Sequence, residues 1–483
     1  METCIGHNAL VTDCQSPGET VIEPLREISA STRRLSAHIA QALNQPLPPQ
    51  VAEKARQHIL DTIAAMMSGT RLKPGQLAIA YVSGLGGVPQ STVVGTRLLT
   101  SAVQAALANG MLAHADETDD SHAPSRTHPG CAVVPAALAV AESTHASGER
   151  LIRAVVLGYD VAARVNYALG PDALAAASHS THSIGGTFGA GAAAGALLGL
   201  DDWQARYLLS FCAQQASGVG CHVRDPHHIE KAFDFGGMPA RNGVTAATMV
   251  AAGMTGVDDV FSGERNFIHA YALEPDLEQL SDQLGQRFEI LSTNIKKWPV
   301  GSPAQAALDA LTSLMESDHF GPGDIETMEV HLPSRSARTV DNAPAPNLNV
   351  QHLLAMLLLD GKLTFDSIHD VDRMQNQAIL ELRRKIELLG SEELAHARPR
   401  RQAIVTIRTR DGRSLSKRAI AVRGTPDNPM TQPEIEAKAF DLIEPVLGAR
   451  RTEALIEAIR TIESVADVAM LHRLWQPAES PRS

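Results

Sequence analysis

From Ser29 onward, apolar residues recur along this chain at alternating spacings of three and four, the period of an amphipathic helix. They do so in successive blocks, at about 30–44, 48–69, 74–84, 100–121, 128–145 and 149–169. Thr100 or Ser101 suits the N-cap of the fourth block, and Gly148 suits a stop between the last two. Pro135, inside the fifth, predicts a kink. Residues 178–200, SHSTHSIGGTFGAGAAAGALLGL, predict a helix that its neighbours approach closely, with Gly191 and Gly195 forming a small-residue face. Its most apolar part, TFGAGAAAGALLGL at 187–200, is too short and too rich in Gly and Ala to span a membrane. Another helix follows at about 201–216, and then GVGCHVRDPHHIEKAFDFGGMPARNG, which has no clean period and predicts a long ordered loop.

The pattern changes near residue 290. STNIKKWPVGSP leads into a helix at 303–316, and ETMEVHLP then alternates as a strand does. Helices are predicted near 348–359 and 372–389, and two alternating strands flank Asp411-Gly412, a hairpin signal. After Gly424-Thr425-Pro426 the helical period returns, opened by a capping box of Thr431 and Glu434. The pattern therefore divides the chain into a mobile extension at 1–28, a helical part at 29–292, an α+β unit at 293–426 and a helical part at 427–483.

Composition sharpens this picture in two ways. Aromatics make up only 4% of the chain while Ala is abundant, so the core must pack small side chains closely, as helices do. The net charge of −12 leaves no footprint for nucleic acid or for an anionic membrane surface. Five scattered cysteines, and a start with no charged region followed by an apolar run, point to a soluble protein of the reducing cytoplasm.

The chemistry concentrates in His114–Gly130, HADETDDSHAPSRTHPG, with three histidines, an arginine and four carboxylates. Val103, Leu107, Gly110, His114, Glu117 and Ser121 share one helical face that begins apolar and ends ionisable. Thr127 is placed to cap the next helix, which would put His128 where free backbone N–H groups favour an anion. The competing reading is a solvated acidic linker. Lys231, in its Gly-flanked stretch, is a candidate anion clamp or base. Of the adjacent Lys296 and Lys297, one can face inward, and His179 and His182 precede a helix start as His128 does. Cys221, His222, His227 and His228 match no metal-ligand spacing, and no nucleotide or nucleophile-elbow motif is present, so neither a metal nor an organic cofactor is expected. Lysines, histidines and carboxylates on a helical scaffold suit proton abstraction beside a carboxylate.

Several motifs together resemble the MmgE/PrpD family, which contains dehydratases, decarboxylases and epimerases of small carboxylic acids. They are HADETDDSH followed by HPG, the GTFGAGAA helix, the lysine stretch before Arg241-Asn242-Gly243, KKWP, LLLDG and NPMTQPE. The resemblance implies a mainly α fold: a large all-helical domain built from both chain ends, an inserted smaller α+β lid, and a homodimer. It implies site roles for His128, Lys231 and Lys296, and for Glu117, Asp119, Asp120 and Ser121 in the acidic block. Either His179 or His182 fills a further histidine position. His352 stands where a tyrosine is common, and Gly301 where decarboxylase-like members carry a histidine. The expectation is a cofactor-independent lyase of a small di- or tricarboxylic acid. In it His128 and Lys231 move protons, Lys296, Glu117, Asp120 and Ser121 bind substrate, and His182 and His352 assist. The alternatives are a two-base epimerase or racemase, and a catalytically silent member.

Overall fold

A computed structural model describes residues 28–477, so all but Ile28 of the expected N-terminal extension lies outside the described residues. Most of the fold is helix, arranged around two apolar cores. The larger core runs from Leu35 to Ile295 and is completed by residues from Met430 to Trp475. The second runs from Trp298 to Val422. The small side chains foreseen from composition fill the larger core. Gly191 and Gly195, on the Thr181–Leu197 helix, lie so close to Cys212 and Leu208 that an added Cβ would approach them to 2.5 and 2.6 Å. No described helix is long and apolar enough to cross a membrane.

The second core packs helices on a four-stranded sheet, in the order Ile386–Ser391, Ile325–Pro333, Ala403–Thr409, Ser414–Ala419. The first pair is parallel and the others are antiparallel, with Val330 opposite both Leu388 and Val405. The hairpin turns at Gly412, whose φ of 88° suits a residue without Cβ. The helix expected at 372–389 is shorter: it spans Gln377–Arg383, and the chain then becomes the edge strand. Ile379, Leu382 and Ile386 have helical spacing and are all buried, but Met328 and its neighbours need a strand partner, and that tertiary pairing overrides the local period.

Two further departures shape the site. The helix expected at 100–121 ends at Ala113, with Ser101 as its cap. Asp116 accepts hydrogen bonds from both the backbone N and the Oγ1 of Thr118, at 2.8 Å each, so its side chain competes with helix continuation and turns the chain. The long loop expected at 218–243 is mostly helical. It comprises a short 3-10 turn, the Ile229–Ala232 helix, a π turn at Phe233–Gly237, and the Met238–Ala251 helix. The π turn lets two backbones touch: a Cβ on Gly110 would lie 2.4 Å from the Gly236 carbonyl oxygen, and one on Gly236 2.0 Å from that of Gly110. This crossing brings Lys231 and Phe235 up to the end of the Ala102–Ala113 helix.

The Phe365–His369 helix links the two cores. Phe365 is buried in the larger core and Ile368 in the smaller. Arg71 ties the helix down from the other side, 2.7 Å from Asp366 and stacked over the Phe365 ring.

Candidate active site

Residues 114–120 leave the helix end as a loop whose charged side chains are almost wholly buried. Glu117 and Asp119 face one way. Glu117 is ion-paired with Lys231, and Lys296 Nζ donates to the Glu117 backbone carbonyl at 2.7 Å. The same ammonium lies 3.9 Å from the Glu117 carboxylate and 3.7 Å from that of Asp119. Burial alone would raise the Glu117 carboxyl, but Lys231 and Lys296, with His228 and His114, hold it well below the usual carboxylate range.

Asp119 orients two imidazoles. His114 Nδ1 lies 2.9 Å from Asp119 Oδ2, and His128 Nδ1 lies 3.2 Å from both its oxygens. Against the effect of burial, His114, His128 and Lys296 keep Asp119 ionised. An ionised carboxylate only accepts, so the His128 proton sits on Nδ1 and Nε2 keeps its lone pair. Burial pushes His128 down to about 4, with Asp119 opposing, so at neutral pH the ring is uncharged and able to take a proton.

An aromatic stack completes the wall. Phe235 lies flat on His182 at 3.6 Å and on His114 at 4.4 Å, and His128 is 5.2 Å from His182. His182, rather than His179, therefore joins the cluster. His179 packs on Tyr271 instead, at 5.2 Å. His228 reaches the cluster in a left-handed backbone conformation, φ 59°, with Nδ1 4.0 Å from Glu117, and burial pushes it down to about 3. Lys296 is the inward member of its pair, because Lys297 lies over the Trp298 ring at 4.6 Å.

Three expected site residues are placed differently. Asp120 is fully buried and turned away from the lysines: it accepts from Tyr159 at 2.6 Å, pairs with His58 at 2.9 Å, and accepts from Gly130 N at 3.0 Å. It thus caps the Gly130–Ser143 helix, the role expected of Thr127, whose backbone instead pairs with His122. Successive residues of an extended loop point to opposite sides, so Asp119 and Asp120 cannot both face the lysines. Ser121 makes a short antiparallel bridge with Asn294, which fastens the loop to the segment carrying Lys296. His352 is buried in the smaller core, and its charge environment is that of Arg383 and Arg373 rather than the His128 cluster. At Gly301 a Cβ would meet Leu348 at 2.4 Å, so Leu348 fills the space a histidine there would need.

Sequence reasoning missed His114, Asp119 as the orienting acid, Phe235, and the buried supports behind the loop. One of these is Lys438, which donates to Thr118 O at 3.0 Å and to Asp61 at 2.6 Å. Arg401, half-buried, is within electrostatic reach of Glu117. Only the polar end of the helical face hinted at His114; the others are brought in by tertiary packing.

The trios His114–Asp119–His128 and His114–Glu117–His228 each bring three ligand-type atoms within 4.8 Å of one another. Both carboxylates already face a lysine, so a divalent ion there would add charge beside two cations. Cys221 belongs to neither trio and bonds to Glu230 instead. A neutral imidazole held by a carboxylate, beside two ammonium groups, suits a substrate that is itself anionic.

The chain is similar to several known proteins along most of its length. The human cis-aconitate decarboxylase is 25% identical over 460 residues, covering 90% of this chain and 92% of its own length. The cis-aconitate decarboxylase-like protein oryM of Aspergillus oryzae is 23% identical over 473 residues, covering 91% and 96%. A cis-aconitate decarboxylase of Aspergillus terreus is 23% identical over 469 residues, covering 90% and 94%. The MmgE/PrpD N-terminal domain matches residues 33–280 and the C-terminal domain residues 298–464, and the chain belongs to the MmgE/PrpD family.

Proposed function

We propose that the chain is a lyase of a small di- or tricarboxylic acid, in which His128 takes a proton from the carbon next to a carboxylate. The observation that carries this reading is the Asp119–His128 pair, with its lone pair on Nε2, set beside Lys231 and Lys296. The ammonium groups hold the substrate's carboxylates and offset the enolate-like charge that develops. Substrate carboxylates compete with Glu117 for Lys231, which frees that lysine to give a proton to a departing hydroxyl. If CO2 departs instead, no proton is abstracted first: the C–C bond leaves its electron pair on carbon, and that carbon takes its proton from the Lys231 ammonium. Each role in this scheme falls to a side chain of the chain itself. The named relatives make cis-aconitate the first substrate to try, with hydroxylated tricarboxylates beside it. The resemblance further suggests a homodimer, for light scattering to test, and the few scattered cysteines suggest a cytoplasmic protein, for cell fractionation to test.

A second reading, an epimerase, uses the same abstraction followed by reprotonation from a second base; it gains weight because Leu348, in the space beside Gly301, leaves no room there for the histidine of decarboxylase-like members, a candidate acid for decarboxylation. An NMR assay in D2O separates the two. Loss of water or CO2 from one of these acids supports the lyase. Deuterium entering the carbon with no group leaving rejects it for that substrate and supports the epimerase.

A further inference from the structure

An ion pair joins the Phe365–His369 helix to the catalytic loop. His369, at the end of the Phe365–His369 helix, places Nε2 3.1 Å from Asp116 Oδ2, and its Nδ1 lies 2.9 Å from the Phe365 carbonyl oxygen. A carbonyl only accepts, so Nδ1 carries a proton. Nε2 lies within ion-pair distance of a carboxylate, which favours a second proton there and the charged ring. Asp116 in turn binds Thr118 through both its oxygens, and Glu117 lies between the two. Lys438 holds the next carbonyl of the loop, at Thr118. The helix start is held by Asp441, which accepts from Phe365 N at 2.9 Å, while Asp366 makes only an exposed pair with Arg71.

We propose that His369 is a positioning residue for the catalytic loop: it holds Asp116, Asp116 holds Thr118, and the peptide carrying Glu117 is fixed between them. Its contribution should depend on pH. Asp116 and the Phe365 carbonyl favour the charged ring, while burial and Arg71 oppose it, and the balance lies above the ordinary histidine value. Asp366 on the same helix, together with Asp441 and Lys362 nearby, completes the charged surroundings. A raised histidine value means that the link is intact at lower pH and is lost as pH rises through that value.

The proposal rests on the reading that the Glu117 loop is the reacting site, so its test has one arm that needs no substrate. Hydrogen exchange is followed in the full-length protein at residues 114–122, for wild type, His369→Phe, His369→Gln, His369→Arg and Asp366→Asn. The Thr118 amide should exchange about tenfold faster in the Phe and Gln variants. It should keep its protection in His369→Arg, which retains the charge, and in Asp366→Asn, which breaks only an exposed pair. In turnover, kcat should fall about tenfold or more in the Phe and Gln variants with KM little changed. His369→Arg should recover activity and extend it to higher pH. Unchanged loop exchange in the Phe and Gln variants would overturn the proposal, as would an Asp366→Asn variant that behaves like them. Faster loop exchange in a protein that turns over no carboxylic acid would uphold the positioning role and sink the proposed reaction.

Discussion

Asp119→Asn removes a single charge while keeping the side chain's shape, and the structure sets the size of its effect. Asp119 is the shared acceptor for two imidazole nitrogens, at 2.9 and 3.2 Å. A hydrogen bond to a charged group contributes about 1.5–3 kcal/mol. The asparagine amide offers only one oxygen, so at least one ring meets an N–H group and must switch its proton to the other nitrogen. If that ring is His128, the lone pair leaves Nε2 and the base is lost. Together these effects should lower kcat/KM by about 10²–10⁴, equivalent to about 3–5 kcal/mol of transition-state stabilisation. Asp119 is also the group that most opposes the effect of burial on His128, so in the variant His128 should titrate below its present value of about 4. The assay is initial rate against pH from about 5 to 9, with imidazole C–H resonances followed by NMR. A correctly folded Asp119→Asn protein whose kcat/KM stays within about threefold of wild type would refute the Asp119–His128 assignment.

Lys296→Met should abolish the thermal shift that a probe such as citrate gives the wild type, because Glu117 and Asp119 would then repel the ligand from behind. Lys438→Met leaves the buried Asp61 carboxylate without its cation and should cost about 3–5 kcal/mol in urea unfolding, with much of that recovered in the Lys438→Met, Asp61→Asn double variant. Burial pushes Glu142 up to about 7, from an ordinary 4.5, although it accepts a hydrogen bond from Thr92 N at 2.6 Å. The stability tied to its protonated form is therefore complete below pH 4.5 and declines as pH rises to about 7, by up to about 3 kcal/mol. Glu142→Gln should flatten that part of the stability curve, read as the difference in urea midpoint between the two proteins at either end of the range.

Helical period and turn chemistry were enough to place most helices, the hairpin at Gly412 and the change of character near residue 290, because those features depend on neighbours in the chain. Lys231, Lys296, Glu117 and His128 were legible as ionisable residues interrupting apolar pattern. Asp119 and Asp120 were not separable, since adjacent carboxylates look alike until the turn at Asp116 decides which faces inward. His352 was misread by position alone, for its place in the motif says nothing of the arginines around it. Lys438 lies 320 residues from the carbonyl it binds, and no local pattern carries that information. The π turn at Phe233 escaped because its reason lies in another helix, at Gly110.

The two lysines that hold the carbonyls of residues 117 and 118 sit at positions 296 and 438, so the loop is translated long before its supports exist. A chain ending with the smaller core would carry Asp61 without Lys438, and the loop without one of its two lysine supports. A truncation that ends before residue 427, and so lacks Lys438, should therefore show no turnover of small acids.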